Sequence, residues 1–460
     1  MWVTPGCGFP RWARSRMAVP EQRRPASGVV RSLVRDVSGL WGAEGAALAA
    51  FLVQGLFVAR WLGPRGLGIA TLIVGYPTFV LTFFDTRATD TTIRFLGEFH
   101  ARDEHHQAIA VCHFGYLADA AAAGATLVVV ALTAWWAQSH VVHAGHTAAL
   151  LLVCAVALVA RSPANTSKSV LATFGRYREL ATAQTVNAIV RSGLILLLVG
   201  RGWGVNGVVV GSAAALPADA ALTYVLATRL RRQCWGRAGL RGSWQALRGR
   251  RREIAAFCAW SDLGSIFGLL AKQTDVLILG VAWGPAVVGY YSLAQSVAGF
   301  AGNVVAPLQT VAYPKLSQRR GAGDWEGLWA EVRAYARHVA IPLGLLSLVT
   351  LPLVPFGIGL VVGPSYLAAT EATRILIAGG AIWLCLFWVR PLLLTLGATR
   401  WLALSSGAGG VLQVVGMLTV APRFGAAGVA WVQVVVALAV NGAHLRYLAR
   451  CRAKPAVALA

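Results

Sequence analysis

The seventh long apolar stretch of the chain carries charged residues at helical spacing. Asp262, Ser265, Lys272 and Asp275 are separated by steps of three and seven residues, so they share one face of a helix. A charge inside a membrane costs roughly 2.5–3.5 kcal/mol and therefore needs a reason. Either this face lines a water-filled cavity that offers Lys272 to an anionic substrate, or Lys272 and Asp275 neutralise each other and only hold helices together.

Two arginines lie in other apolar stretches. Arg191 has no obvious carboxylate partner in its own helix, and Arg390 precedes Pro391, where a kink can aim it inward. Each is a candidate for binding an anionic substrate in a cavity. The alternatives are that each side chain extends to the membrane surface or pairs with a neighbouring helix.

Charges of alternating sign end the second apolar stretch. Arg87, Asp90, Arg94 and Glu98 step by three and four residues along one helix face. This spacing is typical of a salt-bridged ladder. The alternative is an electropositive mouth of a substrate cavity, in which Arg87 and Arg94 contact the substrate.

Buried carboxylates are candidates for coupling transport to a cation gradient. At an offset of 221 residues, Glu44 corresponds to Ser265 and Gln54 to Asp275, so the same helix face is polar twice. A face that is polar in both copies indicates a shared cavity wall. The coupling candidates are Asp275, Asp262, Asp85 and Glu44, with Asp119 and Asp219 as further possibilities.

The composition is that of a membrane protein. Apolar residues make up 57% of the chain and charged residues 13%, against about 25% in soluble proteins. We therefore predict an all-α polytopic membrane protein with about twelve transmembrane helices. The predicted spans are 38–60, 67–86, 108–136, 147–162, 180–199, 204–228, 254–283, 286–312, 336–362, 371–395, 401–420 and 425–448.

The same offset of 221 residues relates two halves of the chain. Gly63, Pro64 and Gly68 return as Gly284, Pro285 and Gly289. Six spans in each half return the chain to the same side, which predicts two pseudo-symmetric six-helix lobes in a parallel repeat. The expected organisation is a tail (1–37), the N-terminal lobe (38–228), an arginine-rich linker (229–253), the C-terminal lobe (254–448) and a second tail (449–460).

The positive charge follows the predicted topology. Most of the 41 Lys and Arg residues fall in the two tails and in the loops after even-numbered spans. This bias predicts that both termini are cytoplasmic. The net charge of +23 is spread over every such loop, which favours contact with anionic membrane lipids over nucleic acid.

No pattern in the chain indicates catalysis. The seven cysteines are scattered, and His140, His143 and His146 have no Cys, Asp or Glu nearby, so we expect neither a metal site nor a cofactor. The predicted outer loops are short, and no phosphate-binding loop is present. We therefore expect a transporter; a membrane-embedded glycan-assembly enzyme is the weaker alternative.

An ordered set of segments resembles the Wzx-type polysaccharide flippases. They are ARWLGPRGLGIATL, TDTTIRFLGEF, KQTDVLILGVAWGPAVVGYYSLAQSV, APLQTVAYPKLS and GAAGVAWVQVV, within residues 35–450. The superfamily also holds multidrug and toxin extrusion transporters and lipid II flippases.

The resemblance implies two lobes around a central cationic cavity. It implies that the chain moves undecaprenyl-diphosphate-linked oligosaccharide across the cytoplasmic membrane by alternating access, for surface polysaccharide biosynthesis. Membrane lipids, and a glycan polymerase or other assembly protein, are the expected partners. A cation-coupled multidrug or small-molecule antiporter of the same fold is the main alternative.

Overall fold

The chain folds into helices. The computed structural model describes residues 26–84, 88–236 and 244–453, with no strand among them. We number the α-helices α1 (Ala26–Phe84), α2 (Ala88–Ala101), α3 (His105–Ala137), α4 (Ala148–Arg161), α5 (Pro163–Thr173), α6 (Tyr177–Leu198), α7 (Gly204–Trp235), α8 (Arg251–Trp283), α9 (Pro285–Ala298), α10 (Phe300–Gly321), α11 (Trp325–Tyr335), α12 (Ile341–Val349), α13 (Val354–Val361), α14 (Thr370–Cys385), α15 (Val389–Thr395) and α16 (Thr399–Ala453).

Short segments of other helical types join some of these helices. Three have π geometry, Gln138–Val142, Val199–Trp203 and Ala336–Ala340, and three have 3₁₀ geometry, Trp244–Arg250, Leu351–Leu353 and Pro364–Ala369. Helix α1 begins at Ala26, within the segment predicted as the N-terminal tail.

The longest helices are hairpins of two antiparallel spans. Helix α1 leaves helical geometry at Gly63 (φ 67°, ψ 177°), and Phe51 and Thr78, 27 positions apart in sequence, line the same cavity. A straight helix would hold them about 40 Å apart. Helix α16 breaks in the same way at Gly425, and a Cβ on Gly416 would lie 2.9 Å from the Val432 side chain.

The described residues account for the predicted spans. Seven helical stretches are long and apolar enough to cross a membrane. Three of them, Ala49–Phe84, Tyr177–Trp235 and Arg400–Cys451, contain a glycine break and hold two spans each, so the seven supply ten spans. Helix α8 and the pair α9–α10 supply two more. The prediction of an all-α membrane protein with about twelve transmembrane helices is confirmed.

The sequence repeat is visible in the backbone. Gly63 and Gly284, related by the offset of 221, have φ values of 67° and 78° and nearly the same extended ψ. Gly204 and Gly425 also match, with φ of 53° and 56° and ψ of −132° and −139°. These positive φ values favour glycine, which explains why glycine recurs at the span junctions.

The two lobes meet at their hairpin turns. A Cβ on Gly68 would overlap the carbonyl oxygen of Pro285, and a Cβ on Gly289 would overlap that of Pro64. Gly68 and Gly289 thus bring the backbones of the two lobes together, in a reciprocal contact that we call the glycine crossing (Gly63–Gly68 against Gly284–Gly289). Beside it, the buried Tyr366 hydroxyl donates a hydrogen bond to the Ala59 carbonyl across the lobes, at 3.1 Å.

The arginine-rich linker docks on the N-terminal lobe. Leu247 is buried in a cluster with Phe95 and Phe99 of α2. Nη1 of Arg250 donates to Oε1 of Glu98 at 2.7 Å, and Arg250 also pairs with Glu253 at the start of α8. The hydrogen bond from Arg250 is the largest influence on the pKa of Glu98 and lowers it. The linker is therefore fixed to α2 immediately before the second lobe begins.

Replacing Gly68 with alanine should separate the lobes at the glycine crossing. The added methyl overlaps backbone, which cannot move aside as a side chain can, so the closed state should lose about 1–3 kcal/mol. In a background without native cysteines, the spin-label distance between positions 65 and 286 should lengthen. Gly75→Ala, in the same half of α1 and with nothing within 4 Å of the new Cβ, is the control. Equal distances in the two variants would contradict the tight contact.

Replacing Glu98 with glutamine should release the linker. Trypsin should then cleave after Arg248 and Arg250 several-fold faster, while Glu179→Gln, which removes only a surface pair with Arg176, should not change the rate. Because the pKa of Glu98 is lowered in the fold, docking should hold above the ordinary carboxyl pKa and weaken as pH falls below about 4. Identical cleavage rates for wild type and both variants would rule out a fixing role for Glu98.

Candidate functional site

A cavity of about 700 Å³ lies between the lobes, next to the glycine crossing. Both halves of α1 and residues of α6 to α10 form its wall. The wall combines apolar side chains with hydroxyl and amide groups. The polar residues include Gln54, Ser212, Ser292, Gln295 and Asn303. Such groups can hydrogen-bond a polar ligand that a purely apolar cavity would exclude.

Arg191 is the one charged residue among the described residues that line this cavity. Its side chain is half-buried, and its Nε atom is buried with no hydrogen-bond partner among the described residues. The charged group that acts electrostatically on its guanidinium is another cation, Arg161. A sheltered guanidinium without a carboxylate leaves unsatisfied donors, which an anionic ligand would satisfy. Arg191 therefore lies in the cavity wall, and its role in binding a substrate stays a prediction.

Neighbouring groups position Arg191 and share its environment. The next residue on α6, Ser192, donates a hydrogen bond from its hydroxyl to Oε1 of the buried Gln54 at 3.0 Å. This bond ties α6 to α1 at the cavity wall. Oγ of Ser292, which lines the cavity from the other lobe, is also buried without a partner among the described residues. Each lobe therefore contributes an unused polar atom to the cavity wall.

Asp275 lies fully buried behind the cavity wall. Its Oδ2 accepts hydrogen bonds from Tyr291 Oη (2.9 Å), Gln295 Nε2 (2.5 Å) and Gln433 Nε2 (3.0 Å), and its Oδ1 accepts from the Val276 amide (2.7 Å). Gln295 also lines the cavity, so it connects the carboxylate to the space between the lobes. These donors come from α8, α9 and α16, which the carboxylate holds together.

The sequence and the fold agree with one family. A family model described as "Polysaccharide biosynthesis protein" matches residues 33–319. The chain belongs to this family. No curated protein matches it significantly.

Solved structures of two kinds of transporter share the fold of this polysaccharide biosynthesis family member. An inward-facing multidrug resistance MATE family transporter of the MOP superfamily superposes with a TM-score of 0.67 at 15% identity, covering 89% of this chain and 95% of its own. The lipid II flippase MurJ, in an inward closed conformation, gives 0.68 at 11% identity, with 88% and 86% covered. An outward-facing MATE family transporter gives 0.61 at 14% identity, with 94% and 100% covered. The two-lobe transporter fold is therefore shown.

Two other predicted cations do not line the central cavity. Arg94 lies on α2, 3.9 Å from Glu253 and with its guanidinium 4.4 Å from the centre of the Phe257 ring, so it joins α2 to α8. Arg390 is exposed on the short helix α15, near His444. In the predicted ladder, Arg94 thus pairs with α8, whereas Glu98 pairs both with the linker and with Arg102 one turn further along α2.

Two candidate coupling carboxylates lie inside the N-terminal lobe. Asp219 pairs with Lys168 Nζ at 2.6 Å. Asp119 accepts from the backbone amide of Thr166 (3.1 Å) and from its hydroxyl (2.6 Å), and so supports the first turn of α5 after the break in the fourth span. Both contacts stabilise the lobe, and neither carboxylate lines the central cavity.

Five predicted residues cannot be compared with the structure. Asp85 and Arg87 lie outside the described residues, and so do the side chains of Glu44, Asp262 and Lys272 within α1 and α8. The Lys272–Asp275 pair stays a prediction.

Tyr291, Gln295 and Gln433 were missed by the sequence reasoning. All three donate hydrogen bonds to Asp275. Of these four residues, only Asp275 is charged, and a charge is the signal that marks a residue in an apolar stretch. Gln295 follows Tyr291 by four residues on one helix face, a weak signal that becomes meaningful only once Asp275 is known to lie opposite.

Replacing Asp275 with asparagine should destabilise the C-terminal lobe. Asparagine keeps the size but turns one acceptor into a donor, facing three donors, at a cost of about 1–3 kcal/mol. Tyr291→Phe, the matched control, removes a single donor and should cost about 1 kcal/mol. Thermal unfolding in detergent measures both. Equal midpoints for Asp275→Asn and wild type would contradict the acceptor role.

Proposed function

We propose that this chain is a flippase. It moves undecaprenyl-diphosphate-linked oligosaccharide across the bacterial cytoplasmic membrane for surface polysaccharide biosynthesis. The observation that carries the proposal is Arg191, a sheltered cation without a described carboxylate partner in a cavity between two lobes that also offers hydroxyl and amide groups. A diphosphate supplies the anionic oxygens that its guanidinium lacks.

The rest of the cavity suits the carbohydrate part of such a substrate. Gln54, Ser212, Gln295 and Asn303 offer amide and hydroxyl groups to sugar hydroxyls. The family is one of polysaccharide biosynthesis proteins, and a structural neighbour is named as a lipid II flippase. Both support a lipid-linked glycan as substrate, with membrane lipids and glycan-assembly proteins as partners.

The glycine crossing supports alternating access. It closes one end of the cavity, and the clusters around the arginine-rich linker lie at the other end. In our proposal that arginine-rich end is cytoplasmic, as the distribution of Lys and Arg predicts. The substrate then enters from the cytoplasmic side, and the lobes release it when the glycine crossing opens.

A cation-coupled antiporter is the second candidate, and Asp275 is the observation that favours it. A buried carboxylate bonded to a cavity residue, Gln295, can exchange a proton or metal cation as the cavity changes its contacts. Its three neutral side-chain donors can also serve a purely structural role. Drug tolerance and lipid-linked glycan levels in the same deletion strain separate the two functions.

Deleting the gene should cause lipid-linked oligosaccharide to accumulate and surface polysaccharide to disappear. Wild-type chain should restore the polysaccharide, Arg191→Lys should restore part of it, and Arg191→Gln should lower it at least about tenfold, as expected when a charge-assisted bond worth 1.5–3 kcal/mol is lost. Arg201→Gln, which removes an exposed arginine on the following π segment, is the matched control. Unchanged glycan with altered drug tolerance would overturn the flippase proposal and favour the antiporter.

A further inference from the structure

A second cavity, of about 620 Å³, lies beside the first, between the first half of α1 and helices of the C-terminal lobe, and is open on the side of the exposed Leu346 and Leu353. Its walls come from the first half of α1, from α9, from the region α12–α13 and from α14. Val361 and Val362, next to the turn at Pro364, form the end of the cavity that lies away from the arginine-rich linker. This second cavity therefore lies in the half of the molecule that also contains the glycine crossing.

The lining of the second cavity has almost no free polar group. Most of it is leucine, isoleucine and valine. The hydroxyl of Thr350 donates to the Ser347 carbonyl at 2.6 Å, and that of Thr373 donates to the Ala369 carbonyl at 2.7 Å. Neither hydroxyl needs a ligand. Water gains too few partners in such a space, so a hydrocarbon is the ligand class that fits.

The two cavities share part of their walls. Leu52 and Leu56 of α1 and Leu293 and Val297 of α9 line both. A ligand that extends from one cavity to the other would pass only these four apolar side chains. An apolar cavity of about 150 Å³ holds one benzene ring, so the second cavity has room for roughly four five-carbon units.

We propose that the second cavity binds the hydrocarbon segment of the substrate that adjoins its diphosphate. This rests on the proposed function, in which Arg191 holds the diphosphate in the central cavity. The arrangement makes the hydrocarbon a recognised part of the substrate, because its packing against the cavity wall adds dispersion contacts that a soluble sugar diphosphate cannot make. It also places the part of the hydrocarbon nearest the diphosphate in the half of the protein where, in the proposed function, the lobes open.

Filling the second cavity tests the proposal. Gly357 lines it, and a Cβ there meets nothing within 4 Å, so Gly357→Phe can be accommodated and occupies the space. Gly359→Phe is the matched control, since Gly359 is on the same helix but does not line the cavity. The full-length chain in nanodiscs is titrated with an undecaprenyl diphosphate sugar and with the same sugar diphosphate on a methyl group.

The expected result is a loss of affinity for the long-chain ligand alone. Gly357→Phe should weaken its binding about tenfold, because the hydrocarbon loses its dispersion contacts with the cavity wall, and leave the methyl ligand unchanged. Gly359→Phe should change neither. Unchanged long-chain binding in Gly357→Phe would overturn the inference while the proposed function stands. Failure of wild type to bind either ligand would instead contradict the proposed function.

A second measurement covers the case in which Gly357→Phe weakens both ligands equally. The wild-type chain is irradiated with an undecaprenyl diphosphate that carries a diazirine in its second isoprene unit. Labelling of peptides from 341–362 or 370–385 supports the inference. Labelling of these peptides only by a phospholipid with a diazirine in its acyl chain would overturn it, because the cavity then holds bulk lipid.

Discussion

The glycine crossing is the contact on which the arrangement of the two lobes depends. Gly68 and Gly289 each lie against a proline carbonyl of the other lobe, so backbone meets backbone where any side chain would intervene. Close approach of this kind maximises dispersion contact between helices in a medium that offers no hydrophobic driving force. Because the contact is reciprocal, it follows the pseudo-twofold relation of the repeats.

The two cavities share part of their walls but differ in the ligand groups that they can bind. The N-terminal lobe presents Arg191 to a cavity with several polar groups, and helices of the C-terminal lobe form most of a second cavity whose lining is almost entirely apolar. Asp275 stabilises the intervening part of the C-terminal lobe through three helices. An amphipathic ligand with a charged headgroup and a long chain matches this division. A small polar solute or a uniformly apolar one would leave one of the two spaces unsatisfied.

Much of the fold follows from the sequence, whereas less of the site does. The repeat identifies Gly68 and Gly289 as equivalent positions, yet equivalence alone does not say that each touches the other lobe. Arg191 is identifiable because a lone charge in an apolar stretch needs a partner. Gln295 and Gln433 are not, because neutral amides give no such signal and their roles depend on Asp275. Arg390 lies outside both cavities because the tenth span breaks between Cys385 and Val389, a detail of packing that spacing does not show.

The central claim is that this chain moves a lipid-linked glycan between membrane leaflets. The direct measurement reconstitutes the purified chain in liposomes with undecaprenyl diphosphate oligosaccharide and follows the fraction of glycan that becomes accessible to an external glycosidase. The account predicts that glycan protected inside becomes accessible in liposomes with wild-type chain, and far more slowly in those with Arg191→Gln. Equal rates in liposomes with wild-type chain and in liposomes without protein would contradict it.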